Sequence, residues 1–258
     1  MQHNPYINQD IRNPAASDGS SDVPRIGVRA YERARKLAQT QLEEGRYHDV
    51  LNTLSIFYKS QDLSPAEHAE LLDLLDPLAA KVIYSTEHLV QPAHEVRRNE
   101  TLMDIAEAYD VPWRLLQKIN GIENPRVLLP RSQLKVVTGP FRAEVDVEAR
   151  ELTLFLGRLY AGRFAISVGS DAQPVAGDFQ ILDKLEDRDY FAADGRKIPA
   201  GDPSNPYGKV WMDIGRECAI HGSPPNGQDQ RGCISLSPRD AEDVSSILSI
   251  GSTVRIYR

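Results

Sequence analysis

Hydrophobic positions change their spacing twice along the chain, and these changes divide it into three patterns. Over residues 25–92 they recur every three or four positions, which predicts helices. Over residues 93–139 short apolar runs enclose two helical stretches, and over residues 140–258 alternating runs lie between dense glycines and prolines. We therefore expect a multidomain α+β protein with an N-terminal helical hairpin region, a small β-α-α-β module and a mainly-β C-terminal domain.

The first pattern predicts three helices. The first ends at Gly45, the second covers residues 47–58, and the third opens at Ser64. Ser64 is a suitable N-cap, Pro65 fits the first turn, and Glu67 completes a capping box. The turn at Gly45 is similar to a single tetratricopeptide-type hairpin without a second copy, so we interpret the region as a spacer or a docking region.

The middle pattern predicts strands at 94–97 and 133–137 and helices at 101–109 and 112–120. The segment resembles the LysM family. The matching positions are Val96, Thr101, Leu102, Ile105, Ala106, Leu115, Leu116, Asn120, Gly121, Leu129, Pro130, Leu134, Lys135 and Val136.

This resemblance implies that the module binds N-acetylglucosamine chains through loops 98–102 and 121–128. The implied glycan contacts are Asn99, Glu100, Thr101, Leu102, Gly121 and Ile122. The family usually has Gly-Asp where Asn99 and Glu100 stand, and Gly-Gln where Arg131 and Ser132 stand. Asparagine tolerates left-handed backbone geometry, so we expect the first turn to survive. The alternative is a LysM fold that serves only as a spacer.

The third pattern contains a histidine and a cysteine at the two ends of a polar loop, His221 and Cys233. A free thiol has a pKa of about 8.5, so it needs a neighbouring base to become a thiolate at neutral pH. Gly232 would let the backbone approach a substrate carbonyl, and N–H groups there would stabilise an oxyanion. The alternative is a buried structural cysteine with an unrelated loop histidine.

A zinc site is a further alternative for these residues. Cys218, His221 and Cys233 are possible ligands, but no fourth cysteine or histidine accompanies them. Positions 218 and 221 of one strand face opposite sides. We therefore expect Cys218 to be a core residue that lies away from the active face.

Residues 142–258 resemble the L,D-transpeptidase catalytic domain, also called the YkuD family. The matching stretches are Gly169, residues 174–179, residues 198–208, Trp211, residues 219–222 and residues 231–236. The sequence departs from the family in a shorter loop between histidine and cysteine. It also has Gln230 and Arg231 where Ser-His is usual, and Ser235 where arginine is common.

The resemblance implies a peptidoglycan L,D-transpeptidase that forms 3→3 cross-links. The Cys233 thiolate would attack the third residue of a tetrapeptide stem and release D-alanine, and a neighbouring stem's amine would resolve the thioester. His221 would be the base, and the backbone carbonyl of Gly222 or Ser223 would orient its imidazole. Gly232 would belong to the same catalytic group as the residue directly before the nucleophile. Substrate contacts are expected at Ser223, Arg231, Tyr190 and Trp211, without a metal or other cofactor.

Two alternatives remain for the whole protein. One is an L,D-carboxypeptidase, a hydrolase on the same scaffold, and the other is a non-catalytic wall-binding protein. The expected partners are peptidoglycan stem peptides and N-acetylglucosamine-containing glycan, which place the protein in the cell envelope, periplasm or cell wall. The oligomeric state is left open.

In the family that this domain resembles, a lid folds over the catalytic pocket, and the segment 183–208 would supply it here. The segment is long and rich in charge, glycine and proline, which is typical of a functional lid or a disordered loop. Tyr190 and Phe191 lie in its middle and give it something to pack onto substrate. The alternative is that both aromatic side chains pin the segment to the domain.

Composition narrows these interpretations. The 258 residues carry 30 Lys and Arg against 37 Asp and Glu, a net charge of −7, which argues against nucleic-acid binding. No apolar run approaches the ~20 residues that span a bilayer, and the first residues do not have the pattern of a signal peptide. Residues 1–24 are polar and are predicted to be a disordered linker. The 2 cysteines are too few for a disulfide scaffold.

Overall fold

The computed structural model describes residues 26–225 and 231–258. The linker expected at 1–24 and most of the polar loop before Cys233 lie outside the described residues. The helices are α1 (Ile26–Glu43), α2 (Tyr47–Ser55), α3 (Pro65–Ala79), a π-helical turn (Ala80–Tyr84), α4 (Leu102–Ala108), α5 (Trp113–Ile119) and α6 (Pro238–Ile247). The strands are β1 (His94–Glu95), β2 (Gln133–Leu134), β3 (Phe141–Asp146), β4 (Glu151–Leu156), β5 (Leu159–Val168), β6 (Gly177–Gln180), β7 (Asp183–Glu186), β8 (Tyr190–Phe191), β9 (Lys197–Ile198), β10 (Val210–Gly215), β11 (Cys218–His221), β12 (Ile234–Leu236) and β13 (Thr253–Tyr257).

The three predicted N-terminal helices are confirmed. The Ser64 side chain accepts a hydrogen bond from the backbone of Glu67, and Glu67 returns the contact, so the capping box is formed. The helix α3 contains Pro77 and continues directly into the π-helical turn. A proline inside a helix removes one backbone donor and clashes with a carbonyl of the preceding turn, which kinks or interrupts the helix.

The helices α2 and α3 pack on strand β5, so the helical region is attached to the C-terminal sheet. A buried polar network joins the two. Arg163 of β5 lies 3.4 Å from Asp76 and 3.5 Å from Glu151. The Tyr160 hydroxyl donates to Asp76 at 2.5 Å, and the Tyr58 hydroxyl lies 2.8 Å from that of Thr153. Because these contacts cross between the helices and the sheet, the helical region is more than a loosely tethered spacer.

The middle module has the predicted strand–helix–helix–strand order, with β1 antiparallel to β2. Thr101 caps α4 and forms a capping box with Asp104. Asn99 has a φ of 63° and Arg131 a φ of 70°. Both replace a glycine usual in the LysM family, and both keep the left-handed backbone that glycine favours.

Three lysine or arginine side chains of this module connect it to its neighbours. Lys135 is 1% exposed and donates to the carbonyls of Val82, at 2.8 Å, and Glu87. Lys118 donates to Asp243 at 2.9 Å on α6, and Arg114 pairs with Glu186 on β7. The module is therefore held against both the helical region and the C-terminal domain.

The C-terminal domain is a nine-stranded sheet in the order β6-β13-β3-β4-β5-β12-β11-β10-β7. This arrangement confirms the mainly-β prediction, and α6 begins at the expected cap, Ser237. Strands β11 and β12 are parallel neighbours, with Ile220 opposite Ile234. The end of β11 and the residue before β12 therefore meet near the middle of the sheet. Within the described residues, no helix combines the length and apolar character needed to cross a membrane.

Candidate active site

The parallel pairing of β11 and β12 places His221 beside Cys233. His221 is the last residue of β11, and Cys233 directly precedes β12. The backbone N–H of Cys233 donates to Nε2 of His221 at 3.2 Å. His221 is 0% and Cys233 is 2% exposed. The polar loop thus brings its two ends together, as its sequence predicts.

The imidazole of His221 is oriented by a backbone carbonyl. Its Nδ1 lies 2.6 Å from the carbonyl oxygen of Gly222. Because a carbonyl oxygen only accepts, Nδ1 must carry the proton, which leaves Nε2 as the basic nitrogen on the Cys233 side. The family resemblance implied that the carbonyl of either Gly222 or Ser223 would orient the imidazole. In the structure the contact is with the carbonyl of Gly222. The backbone of Ser223 packs instead against Gly208, where a Cβ would lie 2.6 Å from the Ser223 oxygen.

The backbone at Gly232 is fixed by the loop that follows β5. Its carbonyl accepts from the backbone N–H groups of Asp171 and Ala172, each at 3.2 Å. Its own N–H donates to the Asp171 carboxylate at 2.9 Å. Gly169 donates to the carbonyl of Cys233 at 2.7 Å. Asp171 was missed by the sequence analysis, although it lies two residues after a glycine that the family resemblance included.

Cys218 is a buried core residue, as expected, but its expected position away from the active face is wrong. Cys218 forms a disulfide with Cys233, with their Cα atoms 5.4 Å apart, and the described residues contain no free cysteine. Strand alternation failed as a guide because β11 is irregular at Cys218, where its register with β10 shifts between Asp213 and Gly215. Cys218 is the first residue of β11, directly after Arg216 and Glu217 with φ of 53° and 61°, and Cys233 lies outside β12.

A cavity of about 560 Å³ opens on this site. Its lining includes Asp171, Tyr190, Trp211, Cys218, His221 and Cys233. The guanidinium of Arg188 lies 3.6 Å from the ring centre of Trp211 and forms part of the same wall. The described residues contain no group of three His, Cys, Asp or Glu side chains arranged to hold a metal ion.

The two aromatic side chains of the expected lid have different environments. Tyr190 is 3% exposed, its hydroxyl donates to Asp171 at 2.7 Å, and the Arg231 guanidinium lies 4.9 Å from its ring centre. Burial, followed by the Asp171 carboxylate, raises the pKa of Tyr190 to about 12. Phe191 is 65% exposed at the cavity mouth. The alternative that both aromatics pin the segment therefore holds for Tyr190 and not for Phe191.

Two further residues of this segment support the site, and both lie in the stretch 198–208 that carried the family resemblance, although neither was named as a site residue. Tyr207 packs edge-on against the imidazole of His221, with ring centres 5.1 Å apart. Asn205 is 1% exposed and donates to the carbonyls of Arg188 at 2.9 Å and Pro199 at 3.1 Å. Asn205 thus joins two separate parts of the segment, at Arg188 and Pro199.

The expected glycan contacts of the middle module divide into accessible and buried residues. Asn99, Thr101 and Gly121 are exposed, and Ile122 is half-buried. The Glu100 carboxylate accepts from the Arg97 backbone at 2.7 Å and lies 2.9 Å from Nε2 of His94. Leu102 is 1% exposed in the module core, so its expected side-chain contact with glycan is wrong. Its position as the first residue of α4 turns it inward.

Two family models match this chain. Residues 140–256 match the family described as YkuD, L,D-transpeptidase catalytic domain, and residues 94–137 match the LysM domain family. The "Putative L,D-transpeptidase YkuD" of Bacillus subtilis is 24% identical over 178 residues, 64% of this chain and 98% of that protein. Its namesake from Bacillus licheniformis is 25% identical over 175 residues, 63% of this chain and 97% of that protein.

Similar solved structures include an L,D-transpeptidase from Mycobacterium smegmatis, at 17% identity and a TM-score of 0.38. The match covers 51% of this chain and 65% of the mycobacterial chain, so it spans just under two thirds of that chain. The catalytic domain of an L,D-transpeptidase from E. faecium has 23% identity and a TM-score of 0.36, over 46% of this chain and 97% of that chain. Residues 140–256 thus form a domain of the YkuD L,D-transpeptidase type, and a LysM domain at residues 94–137 precedes it.

Proposed function

We propose that this protein is a peptidoglycan L,D-transpeptidase that forms 3→3 cross-links through a thioester on Cys233. The observation that carries the proposal is the hydrogen bond from Nδ1 of His221 to the Gly222 carbonyl at 2.6 Å. It leaves Nε2 unprotonated on the side of Cys233, which is the state required of a base that activates a thiol.

The proposed reaction uses Cys233 in its thiol form. Nε2 of His221 takes the thiol proton, and the thiolate attacks the carbonyl of the third residue of a tetrapeptide stem. The carbon–nitrogen bond to D-alanine breaks, and the departing amine takes the proton from His221. The side-chain amine of a neighbouring stem then attacks the thioester, gives its proton to His221, and regenerates the thiol.

The cavity supports binding of a peptide next to this thiol. Tyr190 and Trp211 provide aromatic walls. The Arg231 guanidinium lies 4.9 Å from the ring centre of Tyr190, and Ser223 follows His221 by two residues. We propose that the LysM module, residues 93–139, binds the glycan strand. We assign residues 25–92 to the helical region and residues 140–258 to the catalytic domain. This assignment places the protein in the cell envelope.

The test is intact-protein mass spectrometry of the fully reduced chain after incubation with a tetrapeptide donor. We expect a mass increase equal to the donor minus D-alanine on the unaltered protein. Cys233→Ala should give none, while the matched Cys218→Ala should give the same adduct because it keeps the proposed nucleophile.

An acceptor amine then separates the possible outcomes. Cross-linked dimer in its presence supports transpeptidation. Release of tripeptide alone would mean a carboxypeptidase, and a reduced, alkylatable Cys233 without any adduct would mean a wall-binding protein.

A further inference from the structure

We propose that Cys218 is a resolving cysteine, and that its disulfide with Cys233 is a reversible switch that holds the enzyme inactive until a dithiol reduces it. The inference rests on the proposed function, because it concerns the thiol that would carry the acyl group. It assigns Cys218 a chemical role that the transpeptidation reaction itself does not need.

The backbone already places the two cysteines at bonding distance. Their Cα atoms are 5.4 Å apart, within the usual range for a disulfide, so oxidation needs no rearrangement of the sheet. Both cysteines line the cavity of about 560 Å³, so a small thiol reagent has a route to the bond. Disulfides persist outside the cytosol, where peptidoglycan lies.

The disulfide form is incompatible with acyl transfer. The sulfur of Cys233 has no proton for His221 to remove and no thiolate charge to attack a carbonyl. The backbone N–H of Cys233 instead donates to Nε2 of His221 at 3.2 Å. The N–H of Gly232 donates to Asp171 at 2.9 Å, so both amides nearest to the sulfur are already occupied. An oxyanion formed at this sulfur would find neither donor available.

The reduction step balances with a dithiol. One thiolate of the dithiol attacks a sulfur of the Cys218–Cys233 bond and forms a mixed disulfide, and its second thiol then displaces the protein sulfur. The products are two protein thiols and an oxidised, cyclic dithiol, a transfer of two electrons and two protons.

The reverse step balances with hydrogen peroxide. The Cys233 thiolate is oxidised to a sulfenic acid with release of hydroxide, and the Cys218 thiol then condenses with it to give the disulfide and water. Cys218 would therefore also protect Cys233 from oxidation to sulfinic acid, which dithiols do not reverse.

The experiment uses the full chain, purified without reductant. Free thiols are counted by alkylation and mass spectrometry, and acylation by the tetrapeptide donor is followed with and without dithiothreitol. We expect no free thiol and no acylation before reduction, and two thiols with full acylation after it. Cys218→Ala should show one thiol and acylate equally well without dithiothreitol.

A peroxide challenge separates a switch from a merely structural bond. The reduced proteins are treated with peroxide and then with dithiothreitol. The unaltered chain should recover its ability to be acylated, while Cys218→Ala should lose this ability irreversibly and gain the mass of two oxygen atoms, as for a sulfinic acid. Equal recovery of both proteins overturns the protective role.

The thiol count needs no variant, so it tests the inference even if Cys218→Ala fails to fold. Two free thiols in the untreated chain, or equal acylation with and without reductant, overturn the switch. If the reduced chain and Cys218→Ala both have a reactive Cys233 and neither is acylated, the proposed function fails. The thiol count and the sulfinic-acid mass still test whether the disulfide forms reversibly and protects Cys233.

Discussion

A Cβ atom on Gly232 would lie 2.1 Å from Nε2 of His221. The backbone before Cys233 is therefore in direct contact with the imidazole, and only glycine fits between them. The φ of Gly232 is 90°, a value that side-chain-bearing residues rarely adopt.

Gly232→Ala should therefore move the imidazole away from Cys233. We expect the reduced protein to lose most of its donor acylation, and alkylation of Cys233 near neutral pH to slow at least ~10-fold, since the base would no longer reach the thiol. Alkylation by iodoacetamide, followed by mass spectrometry, measures this.

Gly251→Ala is the matched control for this substitution. Gly251 has a φ of 89° with no atom within 4 Å of a Cβ, so it carries the same backbone strain without the contact. Its variant should be destabilised by about 1–2 kcal/mol and keep its thiol reactivity. Equal alkylation rates for both variants would show that the clash with His221 does not control the thiol.

Tyr190→Phe should weaken donor binding without altering the thiol. The change removes the hydroxyl that donates to Asp171 at 2.7 Å, and Asp171 in turn accepts from Gly232. We expect the lid segment to loosen and the apparent KM for the donor to rise about threefold to tenfold, in line with the loss of one hydrogen bond of ordinary strength.

Phe191→Ala is the comparison for the lid, because Phe191 is 65% exposed. It should leave the free energy of unfolding within about 0.5 kcal/mol of the original. If Tyr190→Phe lowers stability while the donor kinetics stay the same, Tyr190 is a packing residue and the lid proposal fails.

Val127→Glu should weaken retention of the full chain on insoluble peptidoglycan. Val127 is 63% exposed in the loop 121–128, one of the two loops proposed to hold glycan. Ile250→Glu, at a site of 63% exposure in the catalytic domain, is the control and should bind normally. Equal retention of both proteins in a pelleting assay would assign wall binding to another surface or leave the LysM module as a spacer.

Burial lowers the pKa of Lys135 from 10.5 to about 8, and that of Lys184 to about 8 as well. Between pH 8 and pH 10.5 these two lysines hold more protons in the unfolded chain than in the folded chain. The free energy of unfolding should therefore rise from pH 8 towards pH 10 through these two groups. Burial raises the pKa of Tyr58 and Tyr160. Above pH 10 the unfolded chain therefore loses tyrosine protons that the folded chain keeps, and this lowers the free energy of unfolding.

Lys135→Met should flatten this rise by about half, since one of two similar groups is removed. Urea unfolding at several pH values between 8 and 10 measures the slope. An unchanged slope would show that Lys135 does not titrate in this window. The variant should also be less stable overall, because the carbonyls of Val82 and Glu87 lose their donor.

Most secondary structure could be predicted because local signals agree with the tertiary structure. Ser64, Thr101 and Ser237 each precede a helix and each caps it in the structure. The proximity of His221 and Cys233 could be predicted for the same reason. A polar loop joins two apolar strands, and consecutive strands are usually adjacent in space.

The residues that were missed depend on contacts between distant segments. Asp171 reaches Gly232 across 61 positions, and Lys135 reaches Val82 across 53. A lysine in the sequence resembles any surface lysine, and burial becomes visible only when the units are packed together. Cys218 was misplaced because alternation was assumed to hold through the irregular start of β11.

The lysine contacts of the middle module also set a geometric limit on where the enzyme works. Lys135 joins this module to the helical region, and Lys118 joins it to α6 beside the catalytic sheet. A glycan strand held by the module would then lie at a constant offset from Cys233, instead of at the end of a flexible tether. We expect cross-links made from one attachment point to fall at a preferred spacing along the polymer.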